Sequence, residues 1–82
     1  MNDRLYVGNL SFHTSEDALR DAFGEYGTVA DARVILDRET GRSRGFGFVT
    51  MADIKDAKVA MQALDGSELD GRSLRVSPAT DR

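Results

Sequence analysis

Arg44-Gly45-Phe46-Gly47-Phe48-Val49-Thr50-Met51 is the stretch whose reading decides the fold. Taken as a strand, its side chains alternate between two faces. Arg44, Phe46, Phe48 and Thr50 then share one side, and Gly45, Gly47, Val49 and Met51 share the other. Val49 and Met51 mark the second side as the core face. Two phenylalanines and a guanidinium are left pointing away from it, and large rings on an open surface are unfavourable unless something flat stacks on them.

The neighbouring segments supply the rest of the architecture. Asp37-Arg38-Glu39-Thr40-Gly41-Arg42-Ser43 is a polar hairpin loop, with a glycine available for positive φ. Before it, Val29 to Leu36 reads as a strand with Ala32 and Val34 inward, opposite Asp31, Arg33 and Ile35. Leu5-Tyr6-Val7, closed by Gly8-Asn9, reads as a first strand. Thr14 followed by Asp17 predicts a capped helix start. Leu19, Ala22, Phe23 and Tyr26 recur at helical spacing within residues 16–26, and Gly27 stands where a left-handed cap is wanted. Asp53 caps a second helix over 53–64 with the stripe Ile54, Ala57, Ala60, Met61 and Leu64, stopped by Asp65-Gly66. Ser73 to Ser77 forms the last strand, Leu74 and Val76 inward and Arg75 outward, ended by Pro78, which has no N–H to give a ladder.

That order is βαββαβ. It predicts an α+β, ferredoxin-like sandwich: one four-stranded antiparallel sheet in the order 4-1-3-2, with both helices on one face. Nothing in the chain remains to cover the other face. The same layout makes the first and third strands neighbours, so Tyr6, Phe46 and Phe48 converge on the uncovered side. Nucleobases suit such a surface, because each offers a π-face for the rings and a nearby phosphate for an arginine. Arg33 and Arg75 fall outward on the edge strands, and Arg38 and Arg42 lie in the hairpin loop, each a candidate phosphate contact. Gly45 and Gly47 are expected to keep the inner side slim where the helices pack.

Composition sets the outer bounds. The 82 residues are enough for one domain, with its core from about residue 4 to 79. There is no cysteine, which removes disulfides and thiolate metal sites and suggests a reducing, cytoplasmic setting. No apolar run approaches the ~20 residues of a membrane span, and the first residues are polar rather than signal-like. The chain is acidic, with 14 acids against 11 bases, whereas nucleic-acid binders are often basic. Residues 16–26 and 53–64 together hold six acids and three bases, which accounts for the whole net charge of −3. The remainder is balanced, and nine of the 11 basic residues are arginine, the type that both stacks and forks onto phosphate.

Leu5-Tyr6-Val7-Gly8-Asn9-Leu10 and the octapeptide resemble the hexamer and octamer motifs of the RNA recognition motif family, and Asp37 to Ser43 is similar to that family's connection between the second and third strands. The likeness runs from Arg4 to about Ala79, and is nearest to the small stand-alone members of bacteria, including cyanobacteria. It implies a monomeric, non-catalytic binder of single-stranded RNA without metal or cofactor, acting as an RNA chaperone or post-transcriptional regulator. Single-stranded DNA is a second ligand, since stacking ignores the sugar. Carried over by position, Tyr6 and Phe46 stack consecutive bases, Phe48 packs against the riboses, and Arg44 pairs with a phosphate. The octamer usually ends in an aromatic residue; here Met51 replaces it as core filler. Many members carry a glycine-rich or basic tail where this chain stops at Arg82, so properties that depend on such a tail are not expected of it.

Plainer roles are expected for other residues. Asn9 is first a turn-stabilising side chain and second an RNA contact. Phe12 is expected to tuck under the loop before the first helix. His13, with no ligating partners nearby, is an exposed loop residue, and the helical acids form a solvated face. Other functions of this fold fit less well. A protein-interaction module has no use for the intact aromatic trio. An acyl-phosphate hydrolase needs an anion cradle that Gly8-Asn9-Leu10-Ser11 does not offer, and a metal carrier needs paired cysteines.

Overall fold

Runs rich in β-branched and aromatic residues pair into a sheet, and the two amphipathic segments lie across one side of it. The computed structural model describes residues 3–79. In chain order the elements are β1 (Arg4–Gly8), α1 (Glu16–Gly24), β2 (Val29–Leu36), β3 (Ser43–Met51), α2 (Ile54–Leu64), β4 (Glu68–Leu69), β5 (Arg72–Ser73) and β6 (Arg75–Pro78). β2, β3, β1 and β6 lie side by side in that order, every neighbouring pair antiparallel. Counting β6 as the fourth long strand, this is the 4-1-3-2 order that the sequence predicts.

The core is the sheet's inner face closed by the helices. Leu5, Val7, Ala32, Val34, Val49, Met51 and Val76 from the strands meet Leu19 and Phe23 of α1 and Ala57, Ala60 and Leu64 of α2. Small alanines on α2 let that helix approach closely, and Phe23 fills the space under α1. Each large side chain withdrawn from water contributes about 1.5–3 kcal/mol before the entropy of ordering it. Ile54, expected in the α2 stripe, is half exposed, because it occupies the first turn before the helix dips against the sheet.

Several local features differ from expectation. The cap of α1 is Ser15, whose Oγ accepts from the Ala18 N–H at 3.1 Å. Thr14 is buried instead and donates its hydroxyl to Asp70 at 2.8 Å. α1 ends at Gly24 with a right-handed cap at Glu25, so Gly27 is not the helix stop. Gly27 lets the chain pass α2: a Cβ there would lie 2.5 Å from that of Asp56. Asp53 caps α2 as expected, accepting from the Lys55 N–H at 2.8 Å. A hairpin, β4–β5, precedes the last strand, turning on Asp70 and Gly71, both at positive φ (52° and 85°) as a two-residue primed turn requires. It takes Ser73, so the last strand begins at Arg75.

Both glycines of the octapeptide answer to the backbone rather than to the helices. Gly45 has φ +86°, a conformation costly for residues with a Cβ, and the β2–β3 register slips between Val34 and Leu36 beside it. Gly47 sits where β2 and β3 come closest: a Cβ would run into the Arg33 carbonyl, whose carbon would be 3.1 Å away.

The two outer strands are covered at their open edges. Val34 of β2 donates its N–H to the Glu16 carboxylate at 3.0 Å, and Val76 of β6 donates to the Asp65 carboxylate at 3.0 Å. Glu16 is therefore not part of a merely solvated helical face. Pro78 falls where its missing N–H would point to the open edge, because the next N–H, of Ala79, reaches back to the Arg4 carbonyl at 2.9 Å.

Candidate nucleic-acid interface

No described residue covers the outer face of the sheet, and its centre is aromatic. Cross-strand register sets Tyr6 of β1 beside Phe48 of β3, with Arg33 of β2 and Ser77 of β6 completing the row. Phe46 stands two residues along β3. The three ring centroids are 5.9 Å (Tyr6–Phe46), 6.0 Å (Tyr6–Phe48) and 6.2 Å (Phe46–Phe48) apart. The phenylalanines meet edge to face at 89°, whereas Tyr6 and Phe46 incline by only 31°. Such contacts lock each ring against its neighbours and leave all three partly buried. Tyr6 lies down along β1 because Gly8 lacks a side chain; a Cβ there would be 2.8 Å from the ring.

Arg4 holds its guanidinium 4.4 Å from the centre of the Phe48 ring. This contact was missed in the sequence, although strand parity places Arg4 on the same side as Tyr6. It occupies one surface of Phe48, which leaves Tyr6 and Phe46 as the rings most open to a stacked base.

The other expected residues separate into two groups. Arg75 is exposed on β6 and pairs in register with Gly8; Arg42, just before β3, and Arg44, near its start, are exposed. None of these three has an ion pair within 4 Å among the described residues. Arg33 is exposed but already paired with Asp31 at 3.2 Å. Asn9 is engaged on both sides. At φ 59°, it donates to the Ser73 carbonyl at 2.6 Å and accepts from Arg72 at 2.6 Å, tying the end of β1 to the β4–β5 hairpin. Neither bond is the local turn contact expected of Asn9: both reach residues distant in sequence.

The β2–β3 loop is organised by Asp37, whose carboxylate accepts from the N–H groups of Glu39 (2.8 Å) and Thr40 (3.1 Å). Those bonds, helped by the Arg44 charge, hold its carboxyl below the usual aspartate range. Gly41, at φ +73°, closes the turn by donating to the Asp37 carbonyl at 2.8 Å. Phe12 departs most from expectation. It is 69% exposed, standing beside this loop rather than tucked beneath its own. Among the described residues no cluster of acids or histidine is disposed to hold a metal ion, and no helix is long and apolar enough to cross a membrane.

Comparison with known proteins agrees with this geometry. The family described as RNA recognition motif matches over residues 5–75. The chain is 55% identical to glycine-rich RNA-binding protein 2, mitochondrial, of Arabidopsis thaliana, over all of its own length and 52% of the relative's. It is 51% identical to the 29 kDa ribonucleoprotein A, chloroplastic, of Nicotiana sylvestris, over 99% of itself and 30% of that protein. The chain thus spans about half, or less, of these curated relatives. The crystal structure of RNA Binding Protein PG1 superimposes with a TM-score of 0.92 at 51% identity, over 96% of this chain and 95% of that one. An RNA complex of the Sxl-lethal protein superimposes with a TM-score of 0.94 at 28% identity, over the whole chain and 49% of that one. The organellar names of these plant relatives contradict the cytoplasmic setting expected above. A chain without cysteine carries no thiol to report its compartment, so its composition never distinguished one reducing compartment from another.

Proposed function

This chain belongs to the RNA recognition motif family, and on that premise we propose that its open sheet face binds single-stranded RNA by stacking, with no catalytic step. The observation that carries the proposal is the trio Tyr6, Phe46 and Phe48, held with centroids about 6 Å apart on a face that no described residue covers. Tyr6 and Phe46 take consecutive bases, Phe48 meets the sugars, and Arg4 above it, with Arg42, Arg44, Arg75 and Arg33, supplies charge for the phosphates. Asn9 serves this surface indirectly, by fixing the end of β1.

Stacking contributes about 1–3 kcal/mol per base, so two to three rings supply about 2–9 kcal/mol; with the arginine–phosphate contacts added, the expected affinity is micromolar, about −8 kcal/mol. Single-stranded DNA binds the same face, less well wherever a 2′-hydroxyl is contacted. The domain spans residues 1–82 and acts as a monomer; the carboxylate-covered edges of β2 and β6 favour that state. A role as RNA chaperone or post-transcriptional regulator rests on the family resemblance, as does the kinship with stand-alone bacterial members.

The test is titration of a mixed-sequence single-stranded RNA into wild type and a Phe46→Ala/Phe48→Ala variant. Wild type binds and the folded variant loses at least tenfold in affinity. Equal binding by both, or none by wild type, removes the stacking reading. Repeating the titration over a range of salt counts the phosphate contacts from the slope.

A further inference from the structure

We infer that the β4–β5 hairpin braces the stacking face from outside it, with Arg72 as a positioning residue that acts on the rings through Asn9; this deepens, and rests on, the RNA-binding reading above. The hairpin is a separate two-stranded sheet without an aromatic side chain, so it adds no ring of its own. It is nonetheless bound three times to the segment that runs from β1 to α1. Arg72 Nη2 donates to Asn9 Oδ1 at 2.6 Å, and Asn9 Nδ2 donates to the Ser73 carbonyl at 2.6 Å. Thr14, buried in that same segment, donates its hydroxyl to Asp70 in the hairpin's turn at 2.8 Å. Partners 56 to 64 positions apart in sequence do not meet by local preference; such bonds must offset the entropy of ordering two distant segments.

What the brace holds is the backbone on which two of the rings depend. Asn9 has φ 59°, a state costly for a residue with a Cβ, and the bonds at both ends of its amide keep it there. On one side of it, Gly8 is the bed of the Tyr6 ring, where a Cβ would come within 2.8 Å of a ring carbon. On the other side, the Leu10 N–H donates to the Gly45 carbonyl at 2.8 Å, and Gly45 directly precedes Phe46. A turn of the Asn9 backbone therefore moves the Tyr6 bed and the anchor before Phe46 together. Arg72 contributes the charged donor of the set, and hydrogen bonds from a charged group are about twice as strong as neutral ones. Its guanidinium is directed at Asn9, so it serves the face by holding Asn9 rather than by meeting a phosphate.

The experiment titrates a mixed-sequence single-stranded RNA, over a range of salt and well below melting, into the full chain. The proteins are wild type, Arg72→Ala, Arg72→Lys, Asn9→Gly, Arg72→Ala/Asn9→Gly and Phe46→Ala/Phe48→Ala. Asn9→Gly loses both bonds and keeps the backbone, since glycine accepts φ 59° freely. Arg72→Ala is expected to weaken binding by about 2- to 30-fold, the range for a residue coupled to a site through a network, with the salt slope unchanged. Arg72→Lys recovers most of that loss, and the double variant binds no worse than Asn9→Gly alone. In the RNA-free protein the ring resonances of Tyr6 shift in Arg72→Ala, while those of Tyr26, the only other tyrosine, stay. The inference is overturned by wild-type affinity in Arg72→Ala, by a slope lower by about 0.7 as for a lost phosphate contact, by a further loss in the double variant, or by an unmoved Tyr6. Asn9→Gly, which removes the same bond from its other end, decides in its place if Arg72→Ala does not fold. Should the Phe46→Ala/Phe48→Ala variant lose binding while Arg72→Ala does not, only the brace fails; should wild type not bind, the stacking function itself fails.

Discussion

Replacing Gly45 by alanine isolates a single physical effect, because there is room for the new methyl group. Its nearest neighbours would be Phe12 at 3.5 Å and the Leu10 carbonyl at 3.7 Å, ordinary contact distances. What remains is the backbone, fixed at φ +86°, where an L-residue is strained by about 1–2 kcal/mol. Reduced freedom of the unfolded chain offsets about 0.4–1 kcal/mol of this, leaving a net loss near 1 kcal/mol. In a domain of this size that lowers Tm by about 4–8 °C. Gly24 is the control: it lies in α1 with nothing within 4 Å of an added Cβ. There the same substitution removes a glycine from the last position of the helix and gains up to about 0.5 kcal/mol, less than at a helix interior, so Tm holds or rises slightly. Melting followed by circular dichroism, with urea unfolding at 25 °C alongside, measures both. If Gly45→Ala melts at or above wild type, or if both variants shift the same way by similar amounts, the backbone at Gly45 is not what sets the kink before Phe46.

Arg4→Ala should weaken RNA binding several-fold and lower the salt slope by about 0.7, one phosphate on a single strand; an unchanged slope with tighter binding would make Arg4 only a cover over Phe48. Glu16→Ala uncovers the Val34 N–H at the edge of β2. It should cost about 1 kcal/mol in urea unfolding and promote self-association in light scattering, and no change in either would show the edge to be protected otherwise. The Asp37 carboxyl, held below the usual 3.8, stabilises the loop at any pH above the unfolded value and ceases to do so as pH falls through the lowered folded one. The amide resonances of Glu39 and Thr40 should therefore shift with a midpoint below 3.8. A midpoint at or above that value would mean that the loop bonds do not bias the ionised form.

What the sequence made legible is what period-two alternation and helical spacing can carry. Val49 and Met51 fixed the inward parity of β3, and Leu5 and Val7 that of β1, so Tyr6, Phe46 and Phe48 followed together. What escaped lay outside those periods. The Asp70-Gly71 turn is a standard hairpin signal, but strands of two residues on either side carry no alternation to announce it. The cap of α1 fell one residue late because Thr14 and Ser15 are both capping types; their difference is tertiary, the pull of Asp70 on Thr14. Arg4 was readable by parity, yet its position over Phe48 depends on side-chain reach. Phe12 was misplaced because loop residues have no period, and burial preference alone put it inside.

The acidic balance of the chain, which counted against a polyanionic ligand, acquires a different meaning from the positions of the charges. Glu16 and Asp65 accept N–H groups at the two open edges of the sheet, Asp53 caps a helix, and Asp37 is folded into its own loop. Each of these carboxylates is directed at an N–H donor in the protein and so presents less field to an incoming phosphate than its formal charge suggests. Arg42, Arg44 and Arg75 form no ion pair within 4 Å among the described residues, although the Arg44 charge is felt by Asp37. A net count treats both sets alike. Binding responds to the charges left uncompensated on the face that meets the ligand, and on this sheet those are arginines. It follows that adding acids to the outward side of α2 should scarcely alter RNA affinity at moderate salt, where charges beyond about 10 Å are screened, whereas neutralising Arg44 or Arg75 should.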